Sequence, residues 1–320
     1  MADVRHDVLV LGSCNMDFTC YSAKLPKRGE TIKGKKFETA YGGKGANQCV
    51  AAAKLGSKTA LIAKLGADPF GDNYKEHLRN ENVNTDQVKS VEGHTTGVAQ
   101  ITVADNGDNH IIIVTGANDT MSLEDVDNSR EFIDNAKVMV CQLETPTRAT
   151  LAALKRFKGI SILNASPPPL ENSLDIFTVP NILCINEHEA ASMTQRSVPN
   201  LEEAKRAINN FLCLGVRCVI ITFGKLGAIF ASNNDPKPIH VRTPRCEKAI
   251  DTTGAGDAFI GALAHYTAID PTIPLVQRVG AAVYIATYSV QRKGTQSSYA
   301  SLRDLGDFDV RTKKFDWSYV

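Results

Sequence analysis

Short apolar runs rich in β-branched residues alternate along the chain with longer segments in which apolar residues recur at helical spacing. The apolar runs predict buried strands at Val8–Leu11, Val138–Leu143, Ile160–Leu163, Ile182–Ile185 and Val219–Thr222. The helical spacing predicts helices at Asn47–Leu55, Phe70–Asn80, Leu123–Asn135, Thr147–Phe157, Leu201–Leu214, Asp257–Ala268 and Leu275–Tyr288. Buried strands that alternate with helices are typical of a parallel sheet covered on both faces. The pattern therefore predicts an α/β fold with a doubly wound, mostly parallel sheet flanked by helices.

Two segments, about residues 17–41 and 95–115, depart from this alternation. The first lacks a helical period, and the second has two β-rich runs around the turn Asp105-Asn-Gly-Asp108. We expect them to form a small β-sheet lid within a single domain that spans residues 1–320. Ile111 to Val114 give this lid an apolar stripe that a small sheet cannot bury on both faces. The sequence therefore favours a homodimer formed through the lid.

Polar residues or glycines follow the predicted strands at the point where each strand ends. They are Gly12-Ser-Cys-Asn15, Glu144, Asn164, Asn186 and Thr222-Phe-Gly224. The carboxyl ends of parallel strands share one edge of the sheet, and open α/β sheets bind their ligands at that edge. Each of these residues alone is explained better by a loop or a helix cap. Their recurrence at equivalent places predicts a ligand site there.

The bulk composition narrows the class of protein. The 320 residues are 43% apolar and 22% charged, with a formal net charge of +1. This balance gives no reason to expect a nucleic acid or an acidic membrane surface as a partner. No apolar run approaches the roughly 18 residues of a membrane span, and the polar N-terminus does not resemble a signal peptide, so we expect a cytoplasmic protein. The eight cysteines include no Cys-x-x-Cys pair, which argues against zinc and against a redox dithiol.

The run Asp251-Thr-Thr-Gly-Ala-Gly-Asp257 precedes a predicted helix and carries the strongest chemical signal. The backbone N–H groups of Gly254, Ala255 and Gly256 would form an anion hole at the helix N-terminus. Asp257 at its mouth could accept the proton of an attacking hydroxyl, as phosphoryl transfer to an alcohol requires. A tight turn followed by an ordinary N-terminal aspartate explains the same residues.

A second glycine cluster, Gly42-Gly-Lys-Gly-Ala-Asn47, also leads into a helix and favours the functional interpretation. Its spacing differs from the Gly-x-Gly-x-x-Gly pattern that follows the first strand of a dinucleotide-binding fold, so a dehydrogenase is disfavoured. We expect the two glycine clusters to converge in three dimensions, one holding a polyol and the other bringing its acidic side chain to that polyol.

With both clusters in place, the chain resembles the ribokinase-like carbohydrate kinase family from about residue 7 to 303. The motifs that carry the resemblance are Gly12-Ser-Cys-Asn15-Met-Asp17, Gly42-Gly-Lys-Gly-Ala-Asn47, Gln142-Leu-Glu144, Asn186-Glu-His-Glu189, Asp251-Thr-Thr-Gly-Ala-Gly-Asp257 and Lys293-Gly-Thr-Gln-Ser-Ser298. The resemblance implies ATP-dependent phosphorylation of D-ribose at its terminal hydroxyl, which gives ribose 5-phosphate. Deoxyribokinase, fructokinase and adenosine kinase activities remain alternatives, as does a non-catalytic sugar or nucleotide sensor.

The resemblance also implies which residues bind the sugar. Its hydroxyl groups would be held by Asn15, Asp17, Gly43, Lys44, Asn47 and Glu144. Carboxylates and amides suit a polyol because they make paired hydrogen bonds with hydroxyl groups, and glycine permits a close approach. Asp17 as a turn cap and Lys44 as a surface lysine are the structural alternatives.

By the same resemblance, Asp257 is the base for the sugar's terminal hydroxyl, beside the anion hole. The nucleotide would be bound by Asn186, Thr222, Gly224, Lys225, Gly227 and Gly256. Mg²⁺ would be ordered near Asn186 and Glu189 through water, because this ion sheds its hydration shell reluctantly. A routine helix start explains the i, i+3 spacing of that pair almost as well.

A monovalent cation, usually K⁺ in the family, would lie beside the anion hole. The matching positions are Asp251, Thr253, Ser289, Arg292, Gly294 and Ser298, several of them through backbone carbonyls. A fixed cation there would preorganise the neighbouring N–H groups. The chain departs from the family at Asn164-Ala-Ser-Pro, and at Val283, where an Asn or His often meets the adenine.

Overall fold

The computed structural model describes residues 6–169 and 174–320. Its strands are β1 (His6–Leu11), β2 (Asn15–Ser22), β3 (Lys36–Gly42), β4 (Thr59–Gly66), β5 (Val83–Asn84), β6 (Val88–Val91), β7 (Gly97–Ala104), β8 (Asn109–Val114), β9 (Ala136–Cys141), β10 (Ile160–Asn164), β11 (Ile182–Asn186), β12 (Cys218–Thr222), β13 (Ala228–Ser232), β14 (Asp235–Val241) and β15 (Trp317–Tyr319). Its α-helices are α1 (Lys44–Lys54), α2 (Pro69–Asn80), α3 (Leu123–Asn128), α4 (Arg130–Asp134), α5 (Thr147–Arg156), α6 (Leu174–Thr178), α7 (Glu187–Thr194), α8 (Leu201–Cys213), α9 (Ala255–Ile269), α10 (Leu275–Ser289) and α11 (Leu302–Leu305). None of the helices in these residues is both long enough and apolar enough to cross a lipid bilayer.

Most of the described strands form one large sheet in the order β15-β14-β13-β12-β11-β10-β9-β1-β4-β5, with β6 also paired to β4. All pairs from β12 through β1 to β5 are parallel, and β13, β14 and β15 extend the sheet as antiparallel strands. The predicted α/β fold with a mostly parallel sheet is confirmed. The carboxyl ends of the parallel strands lie along one edge, where the loops that follow β1, β9, β10, β11 and β12 meet.

Successive residues of β1 point to opposite faces of the large sheet, and both faces are buried. Val8 and Val10 pack in the core that contains α1, α9 and α10. Leu9 and Leu11 pack in the opposite core, beneath α5, α6, α7 and α8. Because helices cover both faces, the strand needs apolar side chains at every position, which is why its sequence lacks polar alternation.

A separate small sheet has the order β3-β2-β7-β8. β2 runs parallel to β7, whereas β3 and β8 pair antiparallel at the two edges. β2 begins at Asn15, shortly after β1 ends at Leu11, so the small sheet is tied directly to the ligand edge of the large one. The edge strand β8 carries Ile111, Ile112, Ile113 and Val114, which are each 53–64% exposed, so the single chain leaves this apolar strand uncovered on both faces.

The predicted helix Leu123–Asn135 is wrong as a single element, because it is divided into α3 and α4. Ser129 lies between them with φ −93° and ψ 13°. Its hydroxyl donates a hydrogen bond to Gln87 Oε1 at 3.1 Å. A serine side chain that bonds to a neighbouring loop competes with regular helical geometry, and here it marks the break.

The hydrophobic pattern also missed the strand β4 and the antiparallel edge of the large sheet. β4 includes the polar Lys64, and β14 includes Pro236 and Pro238, which normally argue against a strand. β15 is in register only with Ile239–Val241, beyond the two prolines. At Pro238 the neighbouring chain bonds only to the proline carbonyl, which accepts from the Val320 N–H at 3.0 Å, so the missing proline N–H is tolerated.

Helices α1 and α9 approach each other closely at Gly261. A Cβ atom at Gly261 would lie 2.5 Å from Ala51 Cβ and 2.7 Å from the carbonyl oxygen of Gln48. Separations of that size are far below van der Waals contact, so only glycine fits at this crossing. The close packing lets side chains in the first turns of the two helices reach one another.

We expect Gly261→Ala to destabilise the protein by about 1–3 kcal/mol, because the added methyl group must push α9 away from α1. Gly256→Ala, at the start of the same helix, is the matched control, since a Cβ there meets no atom within 4 Å. Urea unfolding of both variants measures the change in the free energy of unfolding. Equal unfolding midpoints for the two variants would contradict the tight crossing.

Candidate active site

Glu144, which follows β9, is fixed by donors from two neighbouring elements. Ser13 Oγ donates to Glu144 Oε2 at 2.6 Å, and the backbone N–H of Lys44 donates to the same oxygen at 3.0 Å. Lys44 Nζ donates to Oε1 at 2.9 Å. Lys44 is the first residue of α1, and a carboxylate is favourable at a helix N-terminus because the terminal N–H groups have no partner within the helix. Ser13, which follows β1, and Lys44 of α1 thus fix the position of the Glu144 carboxylate.

The charges of Glu144 and Lys44 stabilise each other in a largely buried position. Burial raises the pKa of Glu144, but the Lys44 ammonium and the hydrogen bonds from Ser13 and Lys44 outweigh it, so the pKa lies below its usual range. Burial also opposes the charge on Lys44, yet the carboxylates of Glu144 and Asp257 raise its pKa. Lys44 is therefore an ion-paired cation of the site rather than a solvated surface lysine.

Asn15 and Asp17 bring the small sheet to the same place. Asn15 Oδ1 accepts a hydrogen bond from Asn118 Nδ2 at 2.9 Å, and Asn118 Oδ1 accepts one from the Cys14 N–H at 2.9 Å. Asn118 therefore fixes the orientation of the Asn15 amide. A Cβ at Gly42 would lie 2.3 Å from Asp17 Oδ2, so the glycine is what leaves room for this carboxylate.

Burial raises the pKa of Asp17 to about 7, and the neighbouring Glu144 carboxylate adds to the rise while Lys44 opposes it. Asp17 therefore lies within electrostatic reach of both members of the ion pair. A buried carboxylate with a raised pKa lowers the stability of the folded protein when it ionises. Such groups are common in ligand-binding and catalytic sites.

Asp257 lies in the first turn of α9, and side chains of α1 bind both of its oxygens. Asn47 Nδ2 donates to Oδ2 and Gln48 Nε2 donates to Oδ1, each at 2.9 Å. Burial raises the pKa of Asp257, while the Lys44 charge and the two amide bonds oppose the rise. The two glycine clusters thus meet at this carboxylate, which is the convergence expected from the sequence.

Small residues form the N-terminus of α9 in front of Asp257. Gly254 has φ +74°, a left-handed conformation that glycine adopts without strain. The Ala255 N–H donates to the Thr252 carbonyl at 3.2 Å, within the turn. Gly256 is open on its Cβ side, where no atom lies within 4 Å. Of the three predicted anion-hole residues, Gly256 therefore faces the most open space.

A cavity of about 620 Å³ extends from Lys44 and Asp257 past the ends of β11 and β12. It is lined by all the residues predicted to bind the nucleotide: Asn186, Thr222, Gly224, Lys225, Gly227 and Gly256. Val283 and Val290 of the α10 region contribute apolar lining. This volume is within the range of small-molecule sites, and an apolar wall suits a flat heterocycle.

Asn186 and Glu189 form the capping box of α7. Asn186 Oδ1 accepts from the Glu189 N–H, and Glu189 Oε2 accepts from the Asn186 N–H, both at 2.8 Å. One oxygen of each side chain thus caps the helix, which agrees with the interpretation of this pair as a routine helix start. Both residues also line the cavity, so the capping role leaves them facing the predicted nucleotide.

The Asp251 side chain ties two loops together beside the anion hole. Its Oδ1 accepts from the Thr253 N–H and its Oδ2 from the Gly294 N–H, each at 2.9 Å. The Asp251 N–H donates to the Val290 carbonyl at 3.1 Å. The loop before α9 is therefore joined to the loop after α10.

The remaining predicted cation positions differ in where their side chains lie. Ser289 and Ser298 are buried, and their hydroxyls donate to the carbonyls of Ala286 and Thr295. Arg292 instead places its guanidinium over the ring of Tyr288, 3.4 Å from the centroid. Only the backbone of Arg292 is thus left to face such a cation.

Three amide side chains that the sequence reasoning missed organise the site: Gln48, Asn118 and Gln142. Gln142 Nε2 donates to Gln48 Oε1 at 2.6 Å, and Gln48 Nε2 also reaches Asn164 Oδ1 at 3.0 Å. Gln48 follows the second glycine cluster directly and Gln142 opens the Gln-Leu-Glu motif, so both carried a positional signal. Asn118 lies outside every motif, and no local pattern points to it.

The fold combines a large, mostly parallel sheet with a small β-sheet, and Asp257 lines a cavity large enough for a nucleotide. This architecture is that of a carbohydrate kinase. Residues 5–302 match the family model described as pfkB family carbohydrate kinase, and the chain belongs to this family. A ribokinase from Mus musculus is 42% identical over 301 residues, which cover 93% of each chain. A deoxyribokinase from Salmonella typhi is 36% identical over 311 residues, covering 94% of this chain and 98% of the relative. The structure of Arabidopsis thaliana ribokinase complexed with ribose and ATP has a TM-score of 0.87 at 30% identity, and the match covers 97% of this chain and 100% of that one.

We expect Asp17→Asn to stabilise the free protein above about pH 7 and to leave its stability unchanged below about pH 4. The folded pKa lies above the unfolded value, so the folded state loses stability as pH rises from about 4 to about 7. Asparagine removes that loss, a gain of about 1–3 kcal/mol at high pH. Urea unfolding across this pH range measures the difference, with the exposed Asp307→Asn as control. A difference that does not vary with pH would contradict the raised pKa.

Proposed function

We propose that this chain transfers the γ-phosphoryl group of ATP to the terminal hydroxyl of D-ribose and so forms ribose 5-phosphate. The observation that carries the proposal is the position of Asp257, which is bonded to Asn47 of α1 and lines the same cavity as Lys44, the partner of Glu144. The similarity to ribokinases from Mus musculus and Arabidopsis thaliana, the latter solved with ribose and ATP, supports the same substrates.

The sugar would bind between the small sheet and the N-terminus of α1. Three observations support this proposal: Asp17 of β2 is near the Lys44–Glu144 ion pair, Asn15 is two positions earlier on the same side of that strand, and Asn47 is in the first turn of α1. Gly43 has φ +86°, and a Cβ there would lie 2.7 Å from the Asn15 backbone nitrogen, so only glycine brings α1 this close to β2. A neutral polyol requires donors and acceptors without net charge, and an ion pair beside amides supplies them.

Asp257 acts as the general base in this proposal. Each of its oxygens accepts one amide N–H and keeps a second lone pair for the hydroxyl proton. Burial raises its pKa above the ordinary value of an aspartate, and a higher pKa makes a carboxylate a stronger base. As the proton moves to Asp257, the sugar oxygen attacks the γ-phosphorus in line, and the bond to the bridging oxygen of ADP breaks.

The N-terminus of α9 would receive the charge that develops on the transferring group. First-turn N–H groups such as that of Gly256 point out of the helix and lack helical partners, and Gly254 and Ala255 shape the turn that presents them. Donors fixed in advance by the helix stabilise the transition state without reorganising. Movement of the small sheet over the sugar would exclude water and limit the hydrolysis of ATP.

Asn186 and Glu189 fit a water-mediated Mg²⁺ site better than direct coordination. The capping box uses one oxygen of each, and among the described residues no group of three or more His, Cys, Asp and Glu side chains is placed to hold a metal. Mg²⁺ keeps several waters and binds nucleotide phosphates, so two cavity-lining polar side chains suffice to order its hydration shell. When bound, the ion neutralises charge on the β- and γ-phosphates.

The loops joined by Asp251 fit a monovalent cation, for which K⁺ is our proposal. The region offers backbone carbonyls and hydroxyl oxygens near Thr253, Ser289, Gly294 and Ser298, which are suitable ligands for such an ion. When bound, the cation supplies a fixed positive charge beside the anion hole.

A homodimer formed through the small sheet is also part of the proposal. Soluble monomers rarely leave a contiguous apolar strand exposed, and the exposed stretch Ile111–Val114 of β8 is such a strand. A second copy of the same sheet would cover it. The predicted cytoplasmic location stays a prediction.

Deoxyribose is the second candidate acceptor, because the similar Salmonella typhi protein is a deoxyribokinase. The two sugars differ by one hydroxyl group, and a site that bonds this group rejects the analogue that lacks it. A coupled assay for ADP with ribose, deoxyribose, fructose and adenosine separates the assignments. We expect the highest kcat/KM with ribose. A higher value with another of these acceptors would replace ribose as the assigned substrate. Ribose binding without ADP formation would instead indicate a non-catalytic sensor.

We expect Asp257→Asn to lower kcat by about 10²–10⁴ while ribose affinity changes only a few-fold, because asparagine keeps the shape of the base but cannot take the proton. The ADP assay measures turnover, and calorimetric titration measures ribose binding. Asp307→Asn, an exposed aspartate far along the chain, is the control. Turnover near the parent rate in Asp257→Asn would refute the role of Asp257 as the base.

A further inference from the structure

The hydrogen bond from Asn47 to Asp257 is the last link of a longer chain of side chains. Gln296 Nε2 donates to Asn47 Oδ1 at 2.9 Å, and His77 Nε2 lies 2.7 Å from Gln296 Oε1. Asn47 and Gln296 are each 5% exposed, so water hardly competes for the bond between them, whereas His77 is half-buried. The chain therefore connects α2, the turn Gln296–Ser298, α1 and α9 through polar side chains, and its central bond is fully buried.

The charge of Asp257 sets the direction of each bond in this chain. An ionised carboxylate only accepts, so Asn47 must turn its NH₂ group to Asp257 and its oxygen to Gln296. Gln296 must then turn its NH₂ group to Asn47 and its oxygen to His77. His77 in turn must carry a proton on Nε2. Reversing either amide would bring two donors or two acceptors face to face.

The end of the chain remote from Asp257 is held by packing and by further hydrogen bonds. The His77 ring stacks on Tyr41 of β3, with the centroids 3.9 Å apart and the planes at 7°. Lys54 Nζ donates to the Gln296 carbonyl at 2.8 Å, and Gln296 Nε2 also reaches Tyr74 Oη at 3.2 Å. Gln296 is thus fixed at both its backbone and its side chain.

We propose that Gln296 is a positioning residue for the base: it holds the Asn47 amide in the orientation that donates to Asp257, and His77 holds Gln296. The inference rests on the proposed role of Asp257 in the reaction. Gln296 is not among the residues that line the cavity, and its side chain reaches Asp257 only through Asn47. Its effect is to aim the Asp257 carboxylate at the acceptor hydroxyl and to stabilise its ionised form.

Other charged and titratable groups also surround Asp257 and must be distinguished from this chain. They are Lys44 of α1, Glu144 after β9, Asp17 of β2 and Tyr299 after the turn that holds Gln296. None of them bonds to the Gln296 side chain. A change in the ionisation of Asp257 in a Gln296 variant therefore reports the loss of the oriented Asn47 donor, since such donors favour the charged carboxylate.

Gln296→Met tests the proposal, because methionine has a similar length but neither donates nor accepts strongly. We expect the acidic limb of the pH profile of kcat/KM for ribose to move up by about one pH unit. The variant then loses about tenfold in rate on the acidic side and recovers on the alkaline side, where Asp257 is ionised in any case. Ser297→Ala is the matched control, since Ser297 is in the same turn but exposed, and its hydroxyl bonds to the Lys293 carbonyl.

Variants of His77 test the same chain from a different helix. His77→Phe keeps an aromatic ring to stack on Tyr41 but removes the donor to Gln296, and we expect it to move the acidic limb in the same direction by less. His77→Gln places an amide N–H near the position of Nε2, and we expect it to restore the parent profile. His77 belongs to α2 and not to the loop that carries Gly294 and Ser298, so these variants test the chain without changing any residue of that loop.

The outcomes distinguish this inference from the proposed function. If Asp257→Asn abolishes turnover while Gln296→Met and His77→Phe leave the acidic limb unmoved, the positioning role is wrong and the base stands. A loss of rate that is equal at all pH values would also overturn it, because that is the signature of a general structural defect. If Asp257→Asn turns over normally, the base assignment itself fails. Thermal unfolding of each variant shows whether a lower rate results from misfolding. If Gln296→Met does not fold, His77→Phe still tests the chain.

Discussion

The hydrogen bond between Asn47 and Asp257 is the contact on which the site depends, because it joins the first turns of α1 and α9. Each helix begins at one of the two glycine clusters, and the crossing at Gly261 is what brings them together. This geometry places one carboxylate between the polar cluster and the cavity. If Asp257 is the base, as proposed, a displacement of about 1 Å between the helices would move it out of reach of the acceptor hydroxyl. The tight crossing would then be a functional constraint as well as a packing one.

The buried carboxylates of the site differ in how well neighbouring positive charges and hydrogen-bond donors stabilise their ionised forms. Glu144 has Lys44, Ser13 and a helix N-terminus, and its pKa falls. Burial instead raises the pKa of Asp17 and of Asp257. Such carboxylates cost stability in the free protein, and sugar hydroxyls are groups that could donate to them. The charge pattern therefore supports the proposal that a neutral, hydroxyl-rich ligand binds beside the Lys44–Glu144 pair.

The sequence predicted what short-range patterns encode. Continuous apolar runs identified β1, β9, β10, β11 and β12 but not β4, and both glycine clusters lie at helix starts as expected. The pair Asn186 and Glu189 allowed two interpretations because a capping box and a ligand site use the same spacing. Features that depend on distant partners could not be read locally: the break at Ser129 needs Gln87, and the bond between Gln296 and Asn47 spans 249 positions. Those contacts exist only once the fold has formed.

A crystal structure with ribose and a non-hydrolysable ATP analogue tests the central claim most directly. The distance to measure joins the terminal oxygen of ribose and the nearer carboxylate oxygen of Asp257. We expect about 2.6–3.2 Å, with the γ-phosphorus in line on the far side of the sugar oxygen and next to the N-terminus of α9. A terminal hydroxyl bound to Glu144 or Asp17 and out of hydrogen-bond range of Asp257 would contradict it.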